Sequence, residues 1–154
     1  MKKLLLILGL ILMSSMLMAQ SQYQQREIAP DPYSIPVINV TPNSMNNGWG
    51  QYNQSCAGCA SIFYQITRSQ NQHRGPDGYM YYYYYFFFYS NSYYGNGAQA
   101  SSYLTNIEFR LGYTVMHRTS YLIVPPGQTR YAAWIRTTDP NAAVNFIITN
   151  LTVY

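Results

Sequence analysis

The chain's two cysteines lie close together in Ser55-Cys56-Ala57-Gly58-Cys59-Ala60. Cys-x-x-Cys spacing fits three chemistries: a disulfide, a dithiol redox pair, or half of a metal site. A thioredoxin-like pair opens a helix after a strand, whereas Ser61-Ile62-Phe63-Tyr64-Gln65-Ile66-Thr67 follows here with strand character. A zinc or iron site needs two further ligands, and His73 and His117 stand at unrelated spacing. No His follows Cys59, which removes c-type haem attachment. A disulfide between Cys56 and Cys59 suits an exported chain best, with Gly58 permitting the turn that the bond requires. So small a loop removes little unfolded-state entropy, which makes the expected bond a local clip.

Acid and base chemistry has little to work with. After the leader described below, the carboxylates are Glu27, Asp31, Asp77, Glu108 and Asp139, scattered beside turns and on polar strand faces. There is no Gly-x-Ser-x-Gly, no phosphate-cradling glycine loop and no His-Glu-x-x-His. Polar residues such as His73, Arg74 and Asp77 are ordinary in a Gly/Pro loop like the one spanning Ser69 to Gly78. Glu108 and Arg110 share one strand face and are expected to pair there. The expectation is a protein that is not an enzyme and carries no cofactor.

Aromatic chemistry is abundant instead. Between Tyr79 and Tyr89 every residue but Met80 is aromatic. Gly75-Pro76-Asp77-Gly78 precedes the run and Gly95-Asn96-Gly97 follows it, so a strand bounded by turns is expected. The run is far shorter than the ~20 residues of a membrane-spanning helix. Alternation places Met80, Tyr82, Tyr84, Phe86 and Phe88 on one face and Tyr79, Tyr81, Tyr83, Tyr85, Phe87 and Tyr89 on the other. The even face carries two of the three Phe and the only Met, so it is the expected core face. Tyrosine favours one wet end, and a half-exposed odd stripe would measure on the order of 500 Å², large for a soluble monomer. Either the chain's own sheets and loops cover it or a partner does. The binding surface expected on this ground comprises Tyr79, Tyr81, Tyr83 and Tyr85, joined by Tyr93, Tyr94, Trp49 and Tyr52.

The elements that must position these residues begin after Met1–Ala19, whose two lysines, apolar stretch from Leu4 to Met13 and small residue before Gln20 have the layout of a cleaved signal peptide. A cut after Ala19 leaves 135 residues, enough for one domain. No Cys sits at the cut, so a lipid anchor is not indicated. The cut also removes both lysines and leaves seven arginines against five carboxylates, a net charge of +2. These charges are scattered, which excludes the clustered basic patch of a nucleic-acid binder. Arginine among 18 tyrosines predicts one or two guanidinium-on-ring stacks.

Residues 20–54, rich in Asn, Gln and Pro, predict an irregular N-terminal arm with at most a short edge strand around Val37 to Val40. From Cys59 onward strands alternate with turns: Ser61 to Arg68, the aromatic run, Ile107 to Val115, Tyr121 to Val124, Thr129 to Thr137 and Val144 to Tyr154. Ile107, Phe109, Leu111, Tyr113 and Val115 alternate as a core face, and the pattern of the last strand slips near Thr149-Asn150, as at a bulge. Ser90 to Ser102 is expected to form a long exposed tip. Strand, Pro125-Pro126-Gly127-Gln128-Thr129 and strand together resemble the penultimate turn of many bacterial immunoglobulin-like domains, over residues 119–154. That resemblance implies architecture and carries no function.

The expected fold is thus all-β: an antiparallel, immunoglobulin-like β-sandwich of seven or eight strands over residues 55–154, behind a cleaved signal peptide and the arm. The expected role is contact at the bacterial envelope or surface, in the periplasm or outside the cell, with a protein partner. Two alternatives stand beside it: a glycan-binding module stacking sugars on Trp49, Tyr52, Tyr93, Tyr94 or Trp134, and a self-assembling fibre subunit.

Overall fold

The computed structural model describes residues 28–42, 44–53, 60–93 and 97–153. Cys56, Cys59, Tyr94 and the leader lie outside them. The described residues form eleven strands: β1 (Val37–Asn39), β2 (Gly50–Asn53), β3 (Ser61–Ser69), β4 (His73–Arg74), β5 (Met80–Tyr89), β6 (Ser92–Tyr93), β7 (Gln99–Ala100), β8 (Ser102–Leu111), β9 (Thr114–Val124), β10 (Thr129–Thr137) and β11 (Val144–Val153). A single 3₁₀ turn spans Asn46–Gly48. No helix among the described residues is long and apolar enough to cross a membrane.

The protein is all-β, and its ladders are antiparallel. The larger sheet runs β1-β3-β5-β10, with β2 also on β3 and β4 also on β5. A second sheet runs β11-β8-β9, and β6 and β7 form a small hairpin. Partway along β3, Thr67 to Ser69 pair with β1 and Ser61 to Tyr64 pair with β2. β1 is thus the short edge strand expected around Val37 to Val40, and β2 is a second pairing that the reading of an otherwise irregular arm did not include. Pro36 and Pro42 flank β1 and lie outside its ladder, where a missing N–H costs no sheet hydrogen bond.

The aromatic run is the centre of that sheet, hydrogen-bonded to β3 on one side and β10 on the other. Its even face supplies Tyr84, Phe86 and Phe88 to one core with Ile62 and Ile66 of β3, Ile135 of β10, Leu104, Ile107 and Phe109 of β8, and Ile148 and Leu151 of β11. Phe86 packs 4.7 Å from Phe109, and Phe88 meets Phe146 edge-on at 5.1 Å, so rings from both sheets interlock. A fully buried Phe contributes roughly 1.5–3 kcal/mol, which makes these rings a main source of stability. Tyr84 can lie in this core because its hydroxyl donates to the Pro140 carbonyl at 2.9 Å.

Several local expectations change in the fold. Ile107 to Val115 is not one strand: β8 ends at Leu111, and Gly112-Tyr113 forms the hairpin tip, where Tyr113 is 98% exposed. Gly112 has φ +58°, the positive value that a two-residue hairpin favours at its first central position, so glycine chemistry overrode the alternation. The alternation of β11 does slip, Ile148 and Leu151 both being buried although three residues apart, but the expected bulge is not there: the register with β8 is the same on both sides of Thr149, and the irregularity is Asn106 of β8 with φ +49°. Ser90 and Ser102 are buried and share a 2.8 Å hydrogen bond, so the expected exposed tip is tied down at both ends and carries the β6-β7 hairpin between them.

Candidate functional site

The odd face of β5 is where the sequence placed a wet tyrosine stripe, and most of it is sealed. Tyr83, Tyr85 and Phe87 are buried in a second cluster under Ala29, Ile35, Trp49 and Trp134. This corrects the surface role expected of Tyr83 and Tyr85: Tyr83 packs 5.4 Å from Trp134, and the Tyr85 hydroxyl donates to the Pro30 carbonyl at 2.8 Å. The cover is the chain's own residues 28–35, whose Tyr33 meets Phe87 edge-on at 5.9 Å. Burying the phenol end of Tyr85 raises its pKa above the usual range, and desolvation pushes Tyr131 up to about 12.

At one end of the run Tyr79 is exposed, and Tyr81 is half-buried beneath Arg136, whose guanidinium lies 4.1 Å from its ring centre. The Tyr81 hydroxyl donates to Asp77 Oδ2 at 2.7 Å, Arg136 donates to the same oxygen at 3.2 Å, and the Tyr79 N–H donates to Oδ1 at 3.1 Å. The hydrogen bond from Tyr81 chiefly holds the Asp77 carboxyl below its ordinary pKa. Asp77 thus closes a structural lock on the loop. Arg74 bonds the Gly78 carbonyl and His73 lies edge-on to Tyr83, so the three polar loop residues do not converge on a ligand. A second stack places Arg68 over Tyr82 at 4.7 Å. The expected Glu108–Arg110 pair forms, and Arg118 of β9 joins it at 3.1 Å. Among the described residues no cluster of three or more His, Cys, Asp or Glu could hold a metal ion.

At the opposite end the rings reach solvent. Phe63 of β3, Tyr89 of β5 and Thr129 of β10 are direct cross-strand neighbours, forming one row over the outer face of the sheet. Trp49 stands over this row, its ring 5.9 Å from that of Tyr89 and tilted by 57°, while Phe63 lies 6.2 Å from Tyr89 at 46°. All three rings are half-buried. With Asn47, Asn91 and Thr129 they line an open pocket of about 400 Å³ in which no charged side chain takes part.

Trp49 owes its place to a tight turn. Asn47 and Gly48 both adopt left-handed backbone, with φ of 68° and 78°. The Gly48 N–H donates to the Met45 carbonyl at 3.1 Å, and the Asn39 amide donates to the Gly48 carbonyl at 2.8 Å. Asn39 is pinned in turn, its Oδ1 accepting from the Thr41 N–H at 2.9 Å. A Cβ on Gly48 would come within 2.0 Å of Asn39 Nδ2, so only glycine fits.

The remaining expected residues go elsewhere. Tyr52 turns inward, its ring 5.6 Å from Phe146 and its hydroxyl on the Ile148 carbonyl at 3.0 Å, which corrects its expected surface role. Tyr93 is exposed on β6, and Trp134 is half-buried against Tyr83. Of the expected binding residues only Trp49 belongs to the pocket; Asn47, Phe63, Tyr89, Asn91 and Thr129 were missed. Tyr89 was on the right face by alternation, but its neighbours follow from register. No protein-family model, no curated protein and no solved structure matches the chain.

Proposed function

We propose that this chain is an exported antiparallel β-sandwich, immunoglobulin-like in build, that works by contact at the bacterial envelope or surface through the pocket of Trp49, Phe63 and Tyr89. The observation that carries this reading is the convergence of three half-buried rings from separate elements with two exposed asparagines in an uncharged pocket. Rigid rings offer contact area at low entropic cost, and amides supply orientation.

The core shared by the two larger sheets supports the sandwich. The Pro125-Pro126-Gly127 turn carries the chain from β9 in one sheet to β10 in the other, in keeping with the immunoglobulin-like resemblance. The leader-like Met1–Ala19 supports export to the periplasm or beyond, where a Cys56–Cys59 disulfide would persist. The fibre reading loses ground because both edges of β5 are already paired within the sheet.

The test is cosedimentation of the purified protein with isolated bacterial envelopes. The native protein is expected in the pellet, and Trp49→Ala is expected to lower the bound fraction at least about fivefold while Asn91→Ala lowers it less. Native protein that stays in the supernatant, or a Trp49→Ala variant that pellets equally, would exclude the reading.

A further inference from the structure

The pocket's chemistry narrows its ligand. We infer that the Trp49–Phe63–Tyr89 pocket takes a neutral glycan, one or two pyranose rings of a longer chain; this inference rests on the reading that the pocket is a binding site.

The first argument is charge. The lining is three rings, two carboxamides and a hydroxyl, so an ionised ligand group would find no counter-charge there, whereas a neutral polar one can be matched by the amides. The second is the mixture of surfaces. A pyranose presents C–H groups on its faces and hydroxyls around its rim. An aromatic face, electron-rich at its centre, suits the C–H face. A carboxamide both donates and accepts, so one Asn can engage two adjacent hydroxyls. Trp49 offers the broadest face, and because Tyr89 is tilted from it by 57°, a sugar lying flat on the indole meets Tyr89 at its side. The third is size. About 400 Å³ of open space lies near the small end of ligand sites and matches one or two sugar rings. A protein partner needs roughly 800 Å² of surface on each side, far more than these six residues present.

Two tryptophans make the test direct, because the protein has only two indole N–H signals in a nitrogen–proton NMR spectrum. Protein expressed from the full sequence is titrated with cellohexaose, chitohexaose or maltohexaose up to about 10 mM, a range that detects dissociation constants of about 1 mM and tighter. At least one hexaose is expected to move the Trp49 signal saturably and leave the Trp134 signal in place. Asn91→Ala, an exposed substitution that leaves the fold undisturbed, is expected to weaken that response at least about threefold, and Trp49→Ala at least about tenfold. No response to any of the three sugars, or a response unchanged by Asn91→Ala, overturns the inference. Trp49-dependent envelope binding that survives glycosidase but not protease treatment also overturns it, pointing to a protein partner, while leaving the contact reading intact.

Discussion

The hydroxyl of Tyr85 donates a 2.8 Å hydrogen bond to the carbonyl oxygen of Pro30, fastening the N-terminal cover to the centre of the aromatic strand. Tyr85 is completely buried, so the bond lets a phenol occupy an interior position. Tyr85→Phe keeps the ring and leaves that carbonyl without this donor. The expected cost is about 1 kcal/mol, read as a lower urea midpoint at unchanged slope. A midpoint equal to the native one would show that the cover is held by ring packing alone.

The same burial sets an alkaline limit on stability. Unfolded tyrosines ionise near pH 10, while the folded protein holds the Tyr85 proton to higher pH and the Tyr131 proton to about 12. A raised folded pKa contributes stability that is fully present below the unfolded value and lost as pH rises through the folded one. Melting temperatures are therefore expected to hold steady up to about pH 9.5 and fall above about pH 10. Tyr85→Phe should fall less steeply. Equal slopes for the two proteins would remove Tyr85 from the account.

Gly48→Ala tests the turn that aims Trp49. The added Cβ meets Asn39 Nδ2 at 2.0 Å, and φ of +78° is strained for alanine. The expected loss is about 1–2 kcal/mol of stability, with a changed near-ultraviolet circular dichroism signal from the displaced indole. Asn39→Asp should produce the same spectral change, since it deletes the donor to the Gly48 carbonyl. Spectra identical to the native protein would mean that Trp49 is held by its ring contacts and not by the turn.

Two aromatic residues should behave in opposite ways. Phe86, buried and packed 4.7 Å from Phe109, joins the two larger sheets, and Phe86→Ala is expected to cost about 3–5 kcal/mol. Tyr113 sits at the hairpin tip, and Tyr113→Ser is expected to change stability by less than about 0.5 kcal/mol. Denaturant unfolding separates these values easily; a large loss at Tyr113 would contradict the hairpin.

Much of the local structure was legible because it depends on neighbours in sequence. Alternation identified β3, β5, β10 and β11, and the Phe-rich side of the aromatic run as a core face, since a pleated strand sends successive side chains to opposite sides. Glu108–Arg110 followed from a spacing of two, and the two arginine stacks from composition alone. Tyr113 was misplaced because one glycine with positive φ ended the strand inside an unbroken alternation.

Alternation groups rings by face, yet it is silent on what covers each face. Tyr83 and Tyr85 are dry because residues 28–35 return across them, more than 45 positions away in the chain, and nothing in the spacing of the run encodes that return. The pocket has the same origin: Phe63, Tyr89 and Thr129 become neighbours through strand register, and Trp49 joins them through a turn locked by Asn39. The sequence by itself determined an all-β chain rich in rings. Tertiary structure decided which rings meet water, because solvent exposure is a property of the packed surface and not of the order of residues along a strand.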